Sequence, residues 1–175
     1  PAVQDFVVPT GVEGLSLLPA DRNLTGAEVE LVALDARERR LRPLLQQANA
    51  EFDYILIDTP PSLGFLTLNA LVAADRVIIP LTCEYFALEG LAELMTTLRR
   101  VQGNFNPQLE IAGVLLTMAD NRTNLGQQVA SEVREFFGDK VFGTLIPRNI
   151  RLAEAPSHGL PAILHDVRSK GAEAY

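Results

Sequence analysis

Asp58 lies at the end of an apolar run of the sequence, where a charged side chain would need a partner. Asp58 follows four apolar residues, Tyr54–Ile57, and precedes a threonine and two prolines. The apolar run predicts a buried strand whose last residue points into the crevice above a sheet, where a carboxylate is costly unless it meets a cation or donors. A carboxylate at this place can hold a Mg²⁺-bound water beside phosphates. The alternative for this motif alone is a turn aspartate without chemistry.

The elements that must position Asp58 alternate between apolar runs and amphipathic stretches, which predicts an α/β fold with a doubly wound, mostly parallel sheet and helices on both faces. We expect one partial domain over residues 1–175. The predicted strands are Gly14–Pro19, Phe52–Asp58, Arg76–Leu81, Ile111–Met118 and Lys140–Ile146. The predicted helices are Asn23–Leu34, Ala36–Gln47, Phe65–Ala74, Ala87–Val101, Asn124–Phe137 and Ile150–Ala155.

The bulk composition narrows the class of protein. The chain has 175 residues, 47% of them hydrophobic, which is enough for one domain with a core. A net charge of −7 argues against a general nucleic-acid binder, although cations outnumber anions between Lys140 and Lys170. Cys83 is the only cysteine, so no internal disulfide can form, which suits a reducing cytosol. No apolar run reaches the roughly 18 residues of a membrane span.

Three long segments, in order along the chain, resemble ParA/Soj partitioning ATPases, which are P-loop NTPases related to MinD. The first is LLPADRNLTGAEVELV, at Leu17–Val32. The second is DYILIDTPPSLGFLTLNALVAADRVIIPLTCEYFALEGL, at Asp53–Leu91, which resembles the family's Walker B region. The third runs from GVLLTMADNRTNLG to the last residue, at Gly113–Tyr175. Motifs of this length make the resemblance far more specific than a lone apolar run ending in aspartate.

The resemblance implies ATP and Mg²⁺ as cofactors and assigns residues to them. Asp58 would organise Mg²⁺ through a water molecule. Pro147, Arg148 and Asn149 match the family's Pro-Arg-Asn segment, which lines the adenine pocket, and Met118 would form another wall of that pocket. An asparagine can pair with a base edge, and a proline ring or a guanidinium face can pack on the base. Without the resemblance, a strand-ending proline and a solvated arginine explain the same residues equally well.

The resemblance also implies DNA binding without sequence preference. Arg122, in ADNRTNL, and Arg151, in PRNIRLAEAP, match positions where the family uses exposed arginines on phosphates. A homodimer formed in the ATP state would double these contacts, so an acidic protein could bind DNA only when dimeric. The family further implies a ParB-type partner that stimulates hydrolysis, no membrane, and a cytoplasmic, nucleoid-associated location.

The sequence departs from the family pattern in one important respect. No glycine-rich loop with a Lys-Thr or Lys-Ser pair follows any predicted strand, and the family's switch aspartate has no counterpart here. We therefore expect a truncated chain with no catalytic residue of its own, inactive alone and prone to aggregation, whose full-length parent hydrolyses ATP. Two alternatives stay open at this point: a catalytically inactive ParA-like binding module, and a MinD-like membrane-cycling ATPase.

Overall fold

The computed structural model of the protein describes residues 2–48, 50–84, 86–120 and 122–175. The chain divides into two compact units. The first contains the residues up to Asp75 together with Thr96–Leu109, and the second contains Arg76–Met95 and Glu110–Tyr175. Helices connect parallel strands, which is the α/β class that the sequence predicts. The interpretation of residues 1–175 as one domain stays a prediction.

The described residues form five strands and eight α-helices. The strands are β1 (Val8–Pro9), β2 (Ser16–Leu17), β3 (Arg76–Thr82), β4 (Glu110–Ala119) and β5 (Val141–Pro147). The helices are α1 (Leu24–Leu31), α2 (Leu41–Ala48), α3 (Phe65–Ala73), α4 (Phe86–Asn104), α5 (Asn124–Phe137), α6 (Ile150–Glu154), α7 (Ala162–His165) and α8 (Lys170–Ala174). Strands β1 and β2 pair antiparallel as a small hairpin, so the predicted strand at Gly14–Pro19 is present in shortened form.

Two buried asparagine side chains connect the helices of the first unit. The Asn69 side-chain oxygen accepts hydrogen bonds from the backbone N–H groups of Arg40 and Leu41, at 2.8 and 3.1 Å, which caps the start of α2. The Asn106 side-chain nitrogen donates to the carbonyl of Ala74 at 2.7 Å, just beyond the end of α3. Because helix ends leave backbone groups without partners inside the helix, these two amides satisfy groups that the helices cannot.

The single helix predicted over Ala36–Gln47 is wrong at its start. The structure has a 3-10 turn at Arg37–Arg39, and α2 begins at Leu41. Pro43 explains the break, because in a continuous helix its ring would clash with the carbonyl four residues earlier. Starting the helix at Leu41 puts Pro43 in the first turn, where its lack of an N–H group has no cost.

The segment predicted as a buried strand at Phe52–Asp58 is not a strand, and the prediction is wrong there. Tyr54 and Leu56 are each 87% exposed, while Ile55 and Ile57 are half-buried. This alternation is that of an extended chain with one covered face. A strand also needs a neighbour that pairs its backbone, and none of the residues that the structure describes forms a ladder with this segment.

The second unit is built on a parallel sheet in the order β3-β4-β5. Ile79 of β3 lies opposite Val114 of β4, and Leu116 of β4 lies opposite Leu145 of β5. Val114 and Leu116 are fully buried, so the central strand forms the middle of the core. Since the three strands run in one direction, their carboxyl ends lie at the same edge, where α/β sheets bind ligands.

Helix α5 follows the central strand and has the predicted bounds, Asn124–Phe137. Thr123 caps its start, with the side-chain oxygen accepting from the Gly126 N–H at 3.3 Å. Val133 is buried on the face that meets the sheet. Gly138 ends the helix with a φ of +55°, a conformation that glycine adopts without steric cost.

Candidate functional site

The ends of the three parallel strands form one continuous surface. We call it the carboxyl edge and define it as residues 82–84, 118–120 and 147–149. The Cys83 N–H donates to the Thr117 carbonyl, and the Arg148 N–H donates to the Ala119 carbonyl, both at 3.2 Å. The segments that follow both outer strands are therefore hydrogen-bonded to the central strand, which holds their side chains next to one another.

An ion pair crosses the carboxyl edge from one outer strand to the other. Arg148 Nη2 lies 2.7 Å from Glu84 Oε1, although the two residues are 64 positions apart in the chain. Both side chains are more than half exposed, so water weakens the attraction and its main effect is on the position of the guanidinium group. Glu84 is not among the site residues predicted from the sequence. The shared edge of parallel strands was the signal that could have paired it with Arg148.

Met118 marks the end of the central strand with an uncommon backbone conformation. Its φ is +50° and its side chain is 49% exposed. A positive φ in a non-glycine residue costs about 1–3 kcal/mol, and such strain clusters at functional sites. Pro147 pairs with Ala119 in the ladder, so Met118, Pro147 and Arg148 come together at the carboxyl edge. Walls for a flat ligand are thus present, and their role as an adenine pocket stays a prediction.

Asn149 has a structural task beside its predicted one. Its Oδ1 accepts a hydrogen bond from the Arg151 N–H at 2.8 Å and caps the start of α6. Its side-chain NH₂ group can still donate to an acceptor on a base.

Asp58, the predicted Mg²⁺ residue, lies in the first unit, whereas the predicted adenine residues lie in the second. Its carboxylate is exposed to solvent. Within residues 2–48, 50–84, 86–120 and 122–175, no hydrogen bond or ion pair engages this side chain. An exposed carboxylate without a protein cation can accept hydrogen bonds from metal-bound water.

Arg122, the first predicted DNA residue, is held by a neighbouring carboxylate. Its Nε lies 2.8 Å from Asp120 Oδ1 and its Nη2 lies 2.7 Å from Asp120 Oδ2. The Arg122 N–H also donates to Asp120 Oδ1 at 3.0 Å. These hydrogen bonds from Arg122 hold the pKa of Asp120 well below its ordinary value and raise the pKa of Arg122. The Arg122 side chain is 89% exposed, so solvent still reaches it.

Arg151, the second predicted DNA residue, is shared between two acids. Its Nη1 lies 2.9 Å from Glu154 Oε2, and its Nε lies 3.4 Å from Asp166 Oδ2. Glu154 belongs to α6, and Asp166 follows α7. Both predicted DNA residues are therefore exposed arginines, but neither presents a free guanidinium group. Sequence spacing did not reveal Asp120, Glu154 and Asp166 as their partners.

A small cavity lies beneath the carboxyl edge. It encloses about 110 Å³ and is lined by Cys83, Asp120, Arg134 and Leu145, among others. Burial raises the pKa of the Cys83 thiol, and the nearby charge of Arg134 opposes that shift. The thiol is therefore protonated at neutral pH.

Comparison with known proteins identifies the family. A family model for an AAA domain matches residues 1–111. The chain is 57% identical over 173 residues to the sporulation initiation inhibitor protein Soj of Bacillus subtilis, covering 99% of this chain and 68% of that protein. It is 55% identical over 173 residues to the chromosome partitioning protein ParA of Myxococcus xanthus, covering 99% of this chain and 61% of that protein. The chain belongs to the ParA/Soj family of partitioning ATPases.

A solved structure shares the fold of this ParA/Soj chain. Cobyrinic acid a,c-diamide synthase from Mycobacterium smegmatis, with bound ADP and magnesium, matches with a TM-score of 0.82 and 37% identity. The match covers 100% of this chain and 64% of that one. The predicted α/β fold of the P-loop NTPase type is confirmed.

Two further facts concern the length of this ParA/Soj chain and the character of its helices. It spans 68% of the length of Soj and 61% of the length of ParA. Across the part of the chain that the structure describes, no helix is long and apolar enough to cross a membrane.

Proposed function

We propose that the protein is the ATP-dependent switch of a chromosome or plasmid partition system. In this proposal it binds ATP with Mg²⁺, forms a homodimer in that state and binds DNA without sequence preference. A ParB-type partner stimulates ATP hydrolysis, which returns the protein to the state that does not bind DNA. This cycle takes place in the cytoplasm, on the nucleoid. The observation that carries the proposal is the 57% identity to Soj over 99% of the chain.

The carboxyl edge offers residues that fit a nucleotide base. Met118 and Pro147 provide apolar faces, and the Arg148 guanidinium is held beside them by Glu84. The strain at Met118 supports the fit, because a strained backbone persists where the surroundings require that conformation. The Asn149 NH₂ group can donate to a ring nitrogen of the base.

Asp58, in the first unit, fits a role in Mg²⁺ binding taken by itself. Mg²⁺ keeps several of its waters when it binds, and an exposed carboxylate can hold one of them. Bound Mg·ATP supplies the phosphate bond to be cleaved and the positive charge that offsets its phosphates. Asp58 would orient a water molecule bound to that Mg²⁺.

The decisive experiment measures DNA binding by the full-length gene product against salt, with ATP, with ADP and without nucleotide. We expect binding to require ATP and to fall steeply with salt, because phosphate contacts release counterions. Arg122→Glu and Arg151→Glu should each remove most of the binding. Their matched control is Arg76→Glu, since Arg76 is also exposed and paired with an acid, Glu110, but lies at the start of β3.

The outcomes separate the proposal from its alternatives. Equal loss in Arg76→Glu would show that net charge, not the two arginines, sets the affinity. Binding that is indifferent to nucleotide would favour an inactive ParA-like module. No DNA binding in any state, together with ATP-dependent binding to lipid vesicles, would favour a MinD-like ATPase.

A further inference from the structure

The two predicted DNA residues share a feature that does not follow from their being exposed arginines. The nitrogens with which a guanidinium grips phosphate are already on carboxylates in both cases. Arg122 uses Nε and Nη2 on Asp120, the parallel two-bond arrangement that arginine also forms with phosphate. Arg151 uses Nη1 on Glu154 and Nε on Asp166.

We propose that Asp120, Glu154 and Asp166 mask the two arginines, so that DNA phosphates bind them only by displacing these carboxylates. We call these three residues the masking acids. The inference rests on the proposed function and adds a means of setting its strength. The masking acids lower the affinity for DNA and flatten its dependence on salt.

The local charges support the mask. Arg122 and Asp120 together are neutral, and Arg151 with Glu154 and Asp166 carries one net negative charge. While these ion pairs are formed, neither cluster carries a net positive charge that would attract DNA. The masking acids are in contact with the arginines, so their carboxylates repel the same phosphates that the guanidinium groups would bind.

The mask on Arg122 is the more firmly built of the two. Asp120 accepts from the Arg122 backbone as well as from its side chain, and the Thr123 side chain donates to the Asp120 carbonyl at 3.0 Å. The hydrogen bonds from Arg122 also lower the pKa of Asp120, which favours the ionised carboxylate that the mask needs. Arg151 is held at longer distance on one side, so we expect its mask to contribute less.

Displacement has a consequence that salt titrations can measure. A phosphate that takes Arg122 from Asp120 releases a cation from the DNA, but the freed carboxylate attracts a cation in turn. The net number of ions released falls, and with it the slope of affinity against salt. Removing the carboxylate charge should therefore raise the affinity and steepen the slope together.

The test compares the full-length protein with its Asp120→Asn variant in the ATP state, on a duplex of arbitrary sequence. Asparagine keeps the side-chain oxygen that the Arg122 N–H uses, so the turn is preserved while the charge is removed. We expect a gain in affinity of about 3- to 30-fold for a dimer, as expected for releasing two exposed ion pairs. The log–log salt slope should steepen by about one to two.

Asp139→Asn is the matched control. It makes the same chemical change at an exposed aspartate of the second unit that lies before the start of β5, away from the carboxyl edge. The Arg122→Ala background supplies the second comparison, because the gain from Asp120→Asn must vanish when there is no arginine to unmask. A structural role for Asp120 would instead weaken binding in the Asn variant.

Asp166→Asn tests the mask on Arg151 independently, and a smaller gain that depends on Arg151 supports it. An equal gain in Asp139→Asn, a gain that survives Arg122→Ala, or a loss in folded Asp120→Asn and Asp166→Asn would overturn the inference. If the unmodified protein binds DNA through Arg122 in the ATP state, an outcome that overturns the masking proposal does not contradict the proposed function. If neither the parent nor any masking variant binds DNA, both proposals fail.

Discussion

Two apolar stretches of the molecule run into an aspartate, and the structure treats them differently. Strand β4 is paired on both sides, its core residues are fully buried, and Asp120 beyond it is held by Arg122. The run before Asp58 has no ladder partner among the described residues, exposes Leu56, and leaves the aspartate in solvent. An apolar run that ends in aspartate becomes a buried strand only where neighbouring strands pair with its backbone, and the role of the aspartate depends on the cation it meets.

The largest expected effect tests the burial half of this comparison in the 175-residue chain. Leu116→Ala should lower the free energy of unfolding by about 2–5 kcal/mol, because it opens a cavity beside a fully buried side chain. Leu56→Ala should change it by less than about 0.5 kcal/mol, since that side chain is 87% exposed. Urea unfolding measures both values. A cost of several kcal/mol at Leu56 would show that another segment covers this run.

The next prediction tests whether Asp58, unlike Asp120, acts on a metal ion. In the full-length protein, Asp58→Asn should reduce Mg²⁺-dependent ATP hydrolysis by about 10- to 100-fold, the usual cost of losing a group that orients a metal ligand. Turnover measured against Mg²⁺ concentration should show weaker metal dependence as the cause. Asp139→Asn is the control, because Asp139 is exposed and belongs neither to the carboxyl edge nor to the segment before Asp58. Unchanged hydrolysis in Asp58→Asn would remove Asp58 from the metal site.

A smaller effect is expected where the loop after β4 enters α5. Thr123→Ala should destabilise the chain by about 1 kcal/mol, because the Gly126 N–H loses its cap. Thr123→Ser keeps the hydroxyl and should recover most of that loss in thermal unfolding. The same loop carries Asp120 and Arg122, so equal stability in the Ala and Ser variants would mean that the cap does not hold this loop.

The smallest effect is the response of Asp120 to pH. Its pKa is lowered by the hydrogen bonds from Arg122, so the ion pair contributes stability above the unfolded aspartate pKa of about 3.9 and loses it as the pH falls through the folded value. The contribution is slight because the pair is exposed. Carboxyl NMR titration should show Asp120 still ionised at the ordinary aspartate pKa. Arg122→Ala should restore the ordinary value, and an ordinary pKa in the parent would contradict the ion pair.

The sequence predicts local features of this molecule well. The bounds of α5 follow from its apolar spacing and from Thr123 and Gly138 at its ends, and β3, β4 and β5 follow from their apolar runs. Features that depend on distant residues were not predictable. The exposed run before Asp58 depends on which strands find partners, and the Glu84–Arg148 pair joins residues 64 positions apart.

The candidate site divides in the same way. The residue types at Met118, Pro147, Arg148 and Asn149 were identified from the resemblance, and the parallel sheet brings their segments together. The carboxylates on Arg122 and Arg151 were not foreseen, because a sequence shows which side chains are charged but not which conformations bring them into contact.

The buried Cys83 thiol has a practical consequence. It is the only cysteine of this chain, it lies at the end of β3 next to Glu84, and its raised pKa leaves little thiolate to react. A thiol reagent can therefore label it only when the strand ends separate and water enters the cavity. The labelling rate therefore measures how often the carboxyl edge opens.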